Sequence, residues 1–360
     1  MTPPTSILNI FKEYLQKYER HVGAVSILLG FIWDFFTFAR PDQLLGNIIL
    51  LSYLIGAALG IALLSLYRKR GEITPIILLA LVQFAFGNIA GSFLFLYGKS
   101  GTFEGSSLFL LILGVFLIGN EFMREKYSKI IFHISVWYFL SLLYLTFVVP
   151  MVLGKMGDSV FFLSSVISLI SAGMLLLVLH LTSKDIANEL KKVSLYIGGI
   201  FVAFNAFYFL NIIPPVPLSL QEIGIYHLVE RADNANYKTL YEKPEWYEFL
   251  SDTKKVFNKY NNESVYCFSS VFAPVKLSTG INHRWEHYDE MSNEWSTVSI
   301  VPFTITGGRD NGYRGYSQKQ NLTPGRFRCS VETTTGALVG RTTFVVVNVT
   351  KAPVLLQKER

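Results

Sequence analysis

The densest set of ligand-anchoring residue types in this 360-residue chain lies at 307–317, where two arginines, two tyrosines and four glycines share eleven positions. Arginine grips carboxylates and phosphates through a planar fork of donors, and tyrosine offers a rigid ring with a polar tip. Glycine lets the backbone turn tightly enough to bring such groups together. Arg309, Tyr313, Arg314 and Tyr316 are therefore the first candidates for binding an anionic or sugar-like ligand, or a partner protein. The same residues also suit a twisted, bulged strand whose arginines pair with nearby acids. The segment is neither a dinucleotide-binding nor a P-loop motif, because no helical pattern follows it and no Lys-Ser/Thr ends it.

His283, Trp285 and His287 alternate, which on a strand puts all three on one face. Two histidines raise the question of a metal. Positions four apart on a strand lie about 13 Å apart at ~3.3 Å per residue, whereas one zinc ion needs both nitrogens near 2 Å. No metal and no cofactor is expected. Trp285 reads as core with His283 hydrogen-bonded at its edge, and both stand as further candidates for the binding face. Cys267 and Cys329 are the only cysteines. They suit either a disulfide in an oxidising compartment or two buried thiols. No nucleophile elbow, kinase set or metalloprotease helix occurs, so an enzyme is the less favoured reading.

The elements that position these residues follow from hydropathy. Apolar stretches at 22–39, 44–67, 74–97, 106–120, 130–151, 159–181 and 193–213 predict seven membrane-spanning helices. The loops between them alternate in cation content. One side holds twelve Lys and Arg, including Lys12, Arg68, Arg124 and Lys191, and the other holds three: Arg40, Lys99 and Lys155. The positive-inside rule puts the twelve in the cytoplasm, so the N-terminus is cytoplasmic and everything after 213 is extracytoplasmic. Asp34 is the acid inside an apolar run, with Gln83 and Asn88 as further membrane polar residues; such groups are expensive in lipid and often functional. The net charge of +6 is no nucleic-acid signal, since from residue 214 onward 17 basic residues nearly balance 15 acidic ones.

Residues 1–20 read as a cytoplasmic segment, 21–213 as the transmembrane domain, 214–262 as a connecting arm with helical fragments such as 246–260, 263–350 as a β domain, and 351–360 as a tail. From 264 onward the β-branched and aromatic alternation predicts strands at 264–271, 281–288, 295–305, 325–333 and 337–348, with a hairpin turn at 334–336. The fold class expected is a membrane all-α bundle of seven helices followed by an all-β, immunoglobulin-like antiparallel sandwich.

Several blocks resemble a bacterial family known as domain of unknown function 2914. They are Val265-Tyr266-Cys267-Phe268, Phe272-Ala273-Pro274, His283-Arg284-Trp285, Gly307-Gly308-Arg309, the run Gly312 to Ser317, and Gly325-Arg326-Phe327-Arg328 with Gly336 and Phe344. The family has Trp where Phe327 stands. The membrane half is similar through Gly30-Phe31-Ile32-Trp33-Asp34 and Arg40-Pro41-Asp42. The resemblance implies a multi-pass protein of the bacterial cytoplasmic membrane, but no activity. The leading expectation is a membrane-anchored extracytoplasmic module that binds an envelope glycan or protein. The bilayer is its first partner, nucleic acid is not one, and the oligomeric state stays open. One rival is a transporter or membrane-embedded enzyme with an accessory β domain. Another is a sensor acting through a separate cytoplasmic partner.

Overall fold

A computed structural model describes residues 42–70, 76–101, 103–122, 130–182, 189–232, 236–248, 253–309 and 311–360. The predicted span at 22–39, with Asp34, lies outside the described residues. Six helices are described: α1 Leu44–Lys69, α2 Ile76–Ser100, α3 Phe103–Phe122, α4 Ile130–Leu153, α5 Asp158–Thr182 and α6 Leu190–Phe209. All but α3 are long and apolar enough to cross a membrane; in α3 only Ser106–Val115 forms a shorter apolar helix. The last helix ends at Phe209 rather than 213. Asn211 takes a left-handed conformation (φ 56°), and a proline-rich segment follows in which no helix can continue.

The chain divides into two compact units. The first comprises residues 1–96, 110–146 and 163–205. In it α4 is deeply buried, with Ile134, Tyr138, Leu140 and Leu142 fully enclosed. Trp137 donates its Nε1–H to the Leu54 carbonyl of α1 at 2.8 Å. Helices α1 and α2 approach closely at Gly60, where a Cβ would fall 2.4 Å from Val82 Cγ2. Small residues at helix contacts are what packing in lipid favours. Leu44, Leu45, Ile77, Leu111 and Leu195 point outward and exposed, as a lipid-facing surface requires. Arg68 and Glu189, at the loop ends of α1 and α6, pair at 3.5 Å.

The second unit comprises residues 97–109, 147–162 and 206–360. It gathers the end of α2 that carries Lys99, and the α4–α5 loop that carries Lys155, with the whole β region. Ser278 N–H donates to the Gly154 carbonyl at 3.3 Å. Met156, between α4 and α5, packs against the β core at Leu218, Val271 and Leu277.

Among the described residues, eleven strands form three sheets. A three-stranded antiparallel sheet runs β1 (Ser219–Tyr226), β5 (Val265–Phe272), β8 (Tyr313–Lys319). A five-stranded sheet runs β4 (Val256–Tyr260), β10 (Leu338–Val349), β9 (Gly325–Thr333), β6 (Ser278–Asp289), β7 (Glu294–Thr306). These two share a core of Ile225, Phe257, Val265, Trp285, Phe327, Phe344 and Val346, and a disulfide from Cys267 on β5 to Cys329 on β9 joins them. They approach closely at Gly340, where a Cβ would lie 2.2 Å from Leu220 Cδ2 of β1. The third sheet runs β11 (Leu356–Glu359), β3 (Tyr237–Tyr241), β2 (Leu228–Arg231).

Two expectations are corrected. Residues 214–262 are not a connecting arm with helical fragments: they contain β1 to β4, and 246–260 ends in strand β4. Tyrosine, lysine and glutamate make this stretch read as polar. Yet Ile225 enters the shared core, and Tyr226 is buried beneath the third sheet. Nor is the domain wholly antiparallel, because β4 pairs in parallel with β10, Val256 opposite Val345. Such long-range pairing leaves no local mark in a sequence. The strands expected at 264–271, 281–288, 295–305, 325–333 and 337–348 appear as β5, β6, β7, β9 and β10, and Gly336 turns the last hairpin with φ 86°.

Candidate functional site

Strand β8 carries residues 313–317 of the 307–317 segment, and its pleat divides them. Tyr313 and Ser317 lie opposite Val271 and Cys267, facing the five-stranded sheet. Arg314 and Tyr316 lie opposite Ser270 and Phe268, facing the other way. Tyr313 packs against the core, and the Arg309 guanidinium sits 5.4 Å from its ring. Arg314 donates to Asn236 Oδ1 at 3.1 Å, and Tyr316 meets Tyr237 edge-on at 5.9 Å. The four candidates therefore do not converge on one ligand.

His283 and Trp285 are fully buried, so neither can touch a ligand at the surface. They belong to a closed polar network. His283 Nε2 lies 2.7 Å from Ser269 Oγ and its Nδ1 2.9 Å from Ser317 Oγ, while Trp285 Nε1–H donates to Ser317 Oγ at 2.8 Å. Burial pushes the His283 pKa down to about 3, so the ring is neutral at ordinary pH. Ligand atoms of Cys267, His283 and Cys329 lie within 4.8 Å of one another. The two sulfurs are bonded to each other and both ring nitrogens face serine hydroxyls, so these residues offer no free ligand set. In the helices, Gln83 is half-buried and Asn88 Nδ2 donates to the Phe84 carbonyl at 2.8 Å.

The outer side of β1-β5-β8 is a layer of tyrosines covered by the third sheet. Tyr226, Val229 and Phe268 form its buried centre, with Tyr237, Tyr241 and Tyr266 packed around them. Nearby, His227 sits between Glu263 Oε2 (3.0 Å) and Glu242 Oε1 (3.2 Å), and Glu242 also accepts from Asn258 N at 2.8 Å. Burial pushes the Glu242 carboxyl up, but the bonds from His227 and Asn258 outweigh it and hold it below the usual range.

The open face lies elsewhere, on the outer side of β6, β7 and β9. Tyr288 and Trp295 face each other across β6 and β7, ring centroids 5.1 Å apart. Arg326 of β9 lies 4.7 Å above Tyr288, and Arg328 lies 4.3 Å above Trp295. Arg328 also grips Glu286 with two bonds, Nε–Oε2 2.5 Å and Nη2–Oε1 2.8 Å. Burial pushes the Glu286 carboxyl up, but Arg328, with Arg341 and Arg284, holds it below the usual range. Farther along, Arg284 pairs with Glu332 at 2.8 Å. Among the described residues no ion pair engages Arg326, and Asp289, at the nearby turn, accepts from Met291 N at 2.9 Å. Two half-buried rings, two stacked guanidiniums and one uncommitted cation thus share one solvent-facing patch. Sequence reasoning missed it. The available signal was alternation: Arg326 and Arg328 are two apart, as are Glu286 and Tyr288.

No curated protein matches this chain. Among solved structures, it aligns with the Pseudomonas fluorescens alkylpurine DNA glycosylase AlkC bound to DNA containing an abasic site analog, at 9% identity and a TM-score of 0.20, over 86% of this chain and 99% of that one. A likeness that slight carries no argument. The segment that holds β6 to β9, most of β10 and the whole Arg–aromatic patch is different: residues 278–346 match the family model described as protein of unknown function DUF2914.

Proposed function

We propose that this protein is a membrane-anchored binding module of the bacterial envelope, with its β domain on the outer side of the cytoplasmic membrane, and that its ligand is an acidic envelope glycan. The observation that carries this reading is the patch of Tyr288, Trp295, Arg326 and Arg328. Flat rings stack on the apolar faces of sugars, and guanidinium forks take carboxylate or phosphate groups. The rings are already held rigid by the arginines above them, so little ordering is left to be done on binding. The β domain itself is read as an immunoglobulin-like sandwich, supported by a buried tryptophan beside an inter-sheet disulfide.

The outer placement rests on the loop cations. Lys99 and Lys155, two of the three cations on the sparse side, fall in one compact unit with the β region, while Arg68 of the cation-rich side falls in the other. This division supports a single crossing direction for the chain.

The test uses the full chain in lipid nanodiscs. Sedimentation with purified peptidoglycan and with an acidic wall polysaccharide should pull the wild-type protein down, less so as salt rises. Trp295→Ala and Arg326→Ala should each lower the bound fraction several-fold with unchanged melting. If both variants sediment like wild type, this patch is not the site.

A further inference from the structure

Residues 356–360 sit in a seat that has the form of a receptor. Strand β11 adds antiparallel to the edge of β3, with Lys238 opposite Glu359 and Tyr241 opposite Leu356. Tyr237 and Arg360 exchange both backbone bonds, at 2.8 and 2.9 Å, and Thr239 Oγ1 donates to the Lys358 carbonyl at 2.9 Å. The Arg360 side chain, only 6% exposed, enters a cage. Its guanidinium pairs with Glu222 and lies 5.4 Å from the Tyr226 ring and 5.8 Å from that of Tyr241. Tyr226 in turn donates to Glu222 Oε1 at 2.9 Å. Two rings and a carboxylate around a guanidinium combine cation–π attraction with ion pairing.

We propose that the β3 edge and the Glu222–Tyr226–Tyr241 cage form a docking site for residues 356–360 of a second copy of this chain. Two observations support exchange. All four residues of β11 are exposed, so the segment is held by its ladder and the Arg360 anchor rather than by a buried face. The connector 350–355 joins no strand, and its Val354 is 85% exposed, which leaves it free to redirect the segment. A swapped segment makes the same contacts in trans as in cis, so the local concentration of copies decides between them. Copies anchored in one membrane face the same side, which raises that concentration. The second copy is favoured over a foreign strand because every copy carries the segment that fits. This site shares no residue with the Arg–aromatic patch, so the two proposals fail separately.

The experiment uses single-cysteine variants of the full chain, Lys238→Cys with one tag and Glu359→Cys with another, co-expressed in one membrane. These positions form a non-hydrogen-bonded pair, the closer kind on an antiparallel ladder. The native cysteines are bonded to each other and buried, so they do not interfere. Mild oxidation should yield a disulfide-linked heterodimer, well above the Lys238→Cys with Glu290→Cys control, and Arg360→Ala in the Glu359→Cys chain should lower it several-fold. A chain carrying both Lys238→Cys and Glu359→Cys reports the register through an internal bridge. An internal bridge with no heterodimer above control would overturn exchange, and absence of both would overturn the seat itself.

Discussion

The β domain has two outer faces built from the same residue types, and they behave differently. On β1-β5-β8, tyrosine, arginine and glutamate are covered by a third sheet: Tyr226 and Phe268 are fully buried, and Arg360 is held by Glu222, Tyr226 and Tyr241. On β6-β7-β9, tyrosine, tryptophan, arginine and glutamate stay open to solvent. The lesson is that Arg and Tyr do not mark a binding site by themselves. In one place they act as mortar between layers. In the other nothing lies over them among the described residues.

The comparison can be broken most directly on the covered face. Phe268→Ala should cost about 3–5 kcal/mol, as for other fully buried aromatics, read as a lower denaturation midpoint. A loss under ~1 kcal/mol would mean that the third sheet is not a true cover. Cys329→Ala sits between the two faces and should weaken both. Opening a loop with a sequence separation of 62 should cost about 4 kcal/mol on the chain-entropy estimate, checked by unfolding with and without reductant. His283 adds a pH signature. The folded state keeps it neutral down to about pH 3, while the unfolded chain protonates it near its ordinary value of 6.5. Stability is therefore complete above that value and falls as pH drops from it toward 3, each unit of displacement being worth about 1.4 kcal/mol. A His283→Gln variant should lose that slope, which melting scans against pH would show.

Smaller effects sharpen the contrast. Arg328→Ala strands the Glu286 carboxylate, which is only 6% exposed, and should cost about 1–3 kcal/mol. Trp295→Ala should cost least, within about 1 kcal/mol, as for a half-exposed residue without buried partners. It should instead lower glycan sedimentation several-fold. Large destabilisation by Trp295→Ala with intact binding would reverse the assignment of the two faces.

Much of the architecture was legible because its signals are local. Long apolar runs mark α1, α2, α4, α5 and α6, and alternation with β-branched residues marks β5, β6, β7, β9 and β10. The missed strands depend on partners far away. β3 reads as a polar Tyr-Lys-Thr-Leu-Tyr stretch, and only the layer beneath explains why its tyrosines turn inward. The site was misplaced for a related reason. Clustering along the chain drew notice to 307–317, but a strand sends neighbours to opposite faces, so Tyr313 and Arg314 part at once. The patch that does converge takes its four residues from three strands, with nothing in sequence to group them.

The parallel pairing of β4 with β10 sets an order on how the domain can be made. Val256 meets Val345, and Tyr241 meets Leu356, so early strands in two sheets wait for partners that are made much later. At about 5–20 residues per second, the chain emerges over several seconds with β4 unpaired and one edge of β3 bare. Contacts this distant in sequence also close slowly once available. Synthesis of this domain is thus a period of exposure to wrong partners, which ends when β10 and β11 arrive.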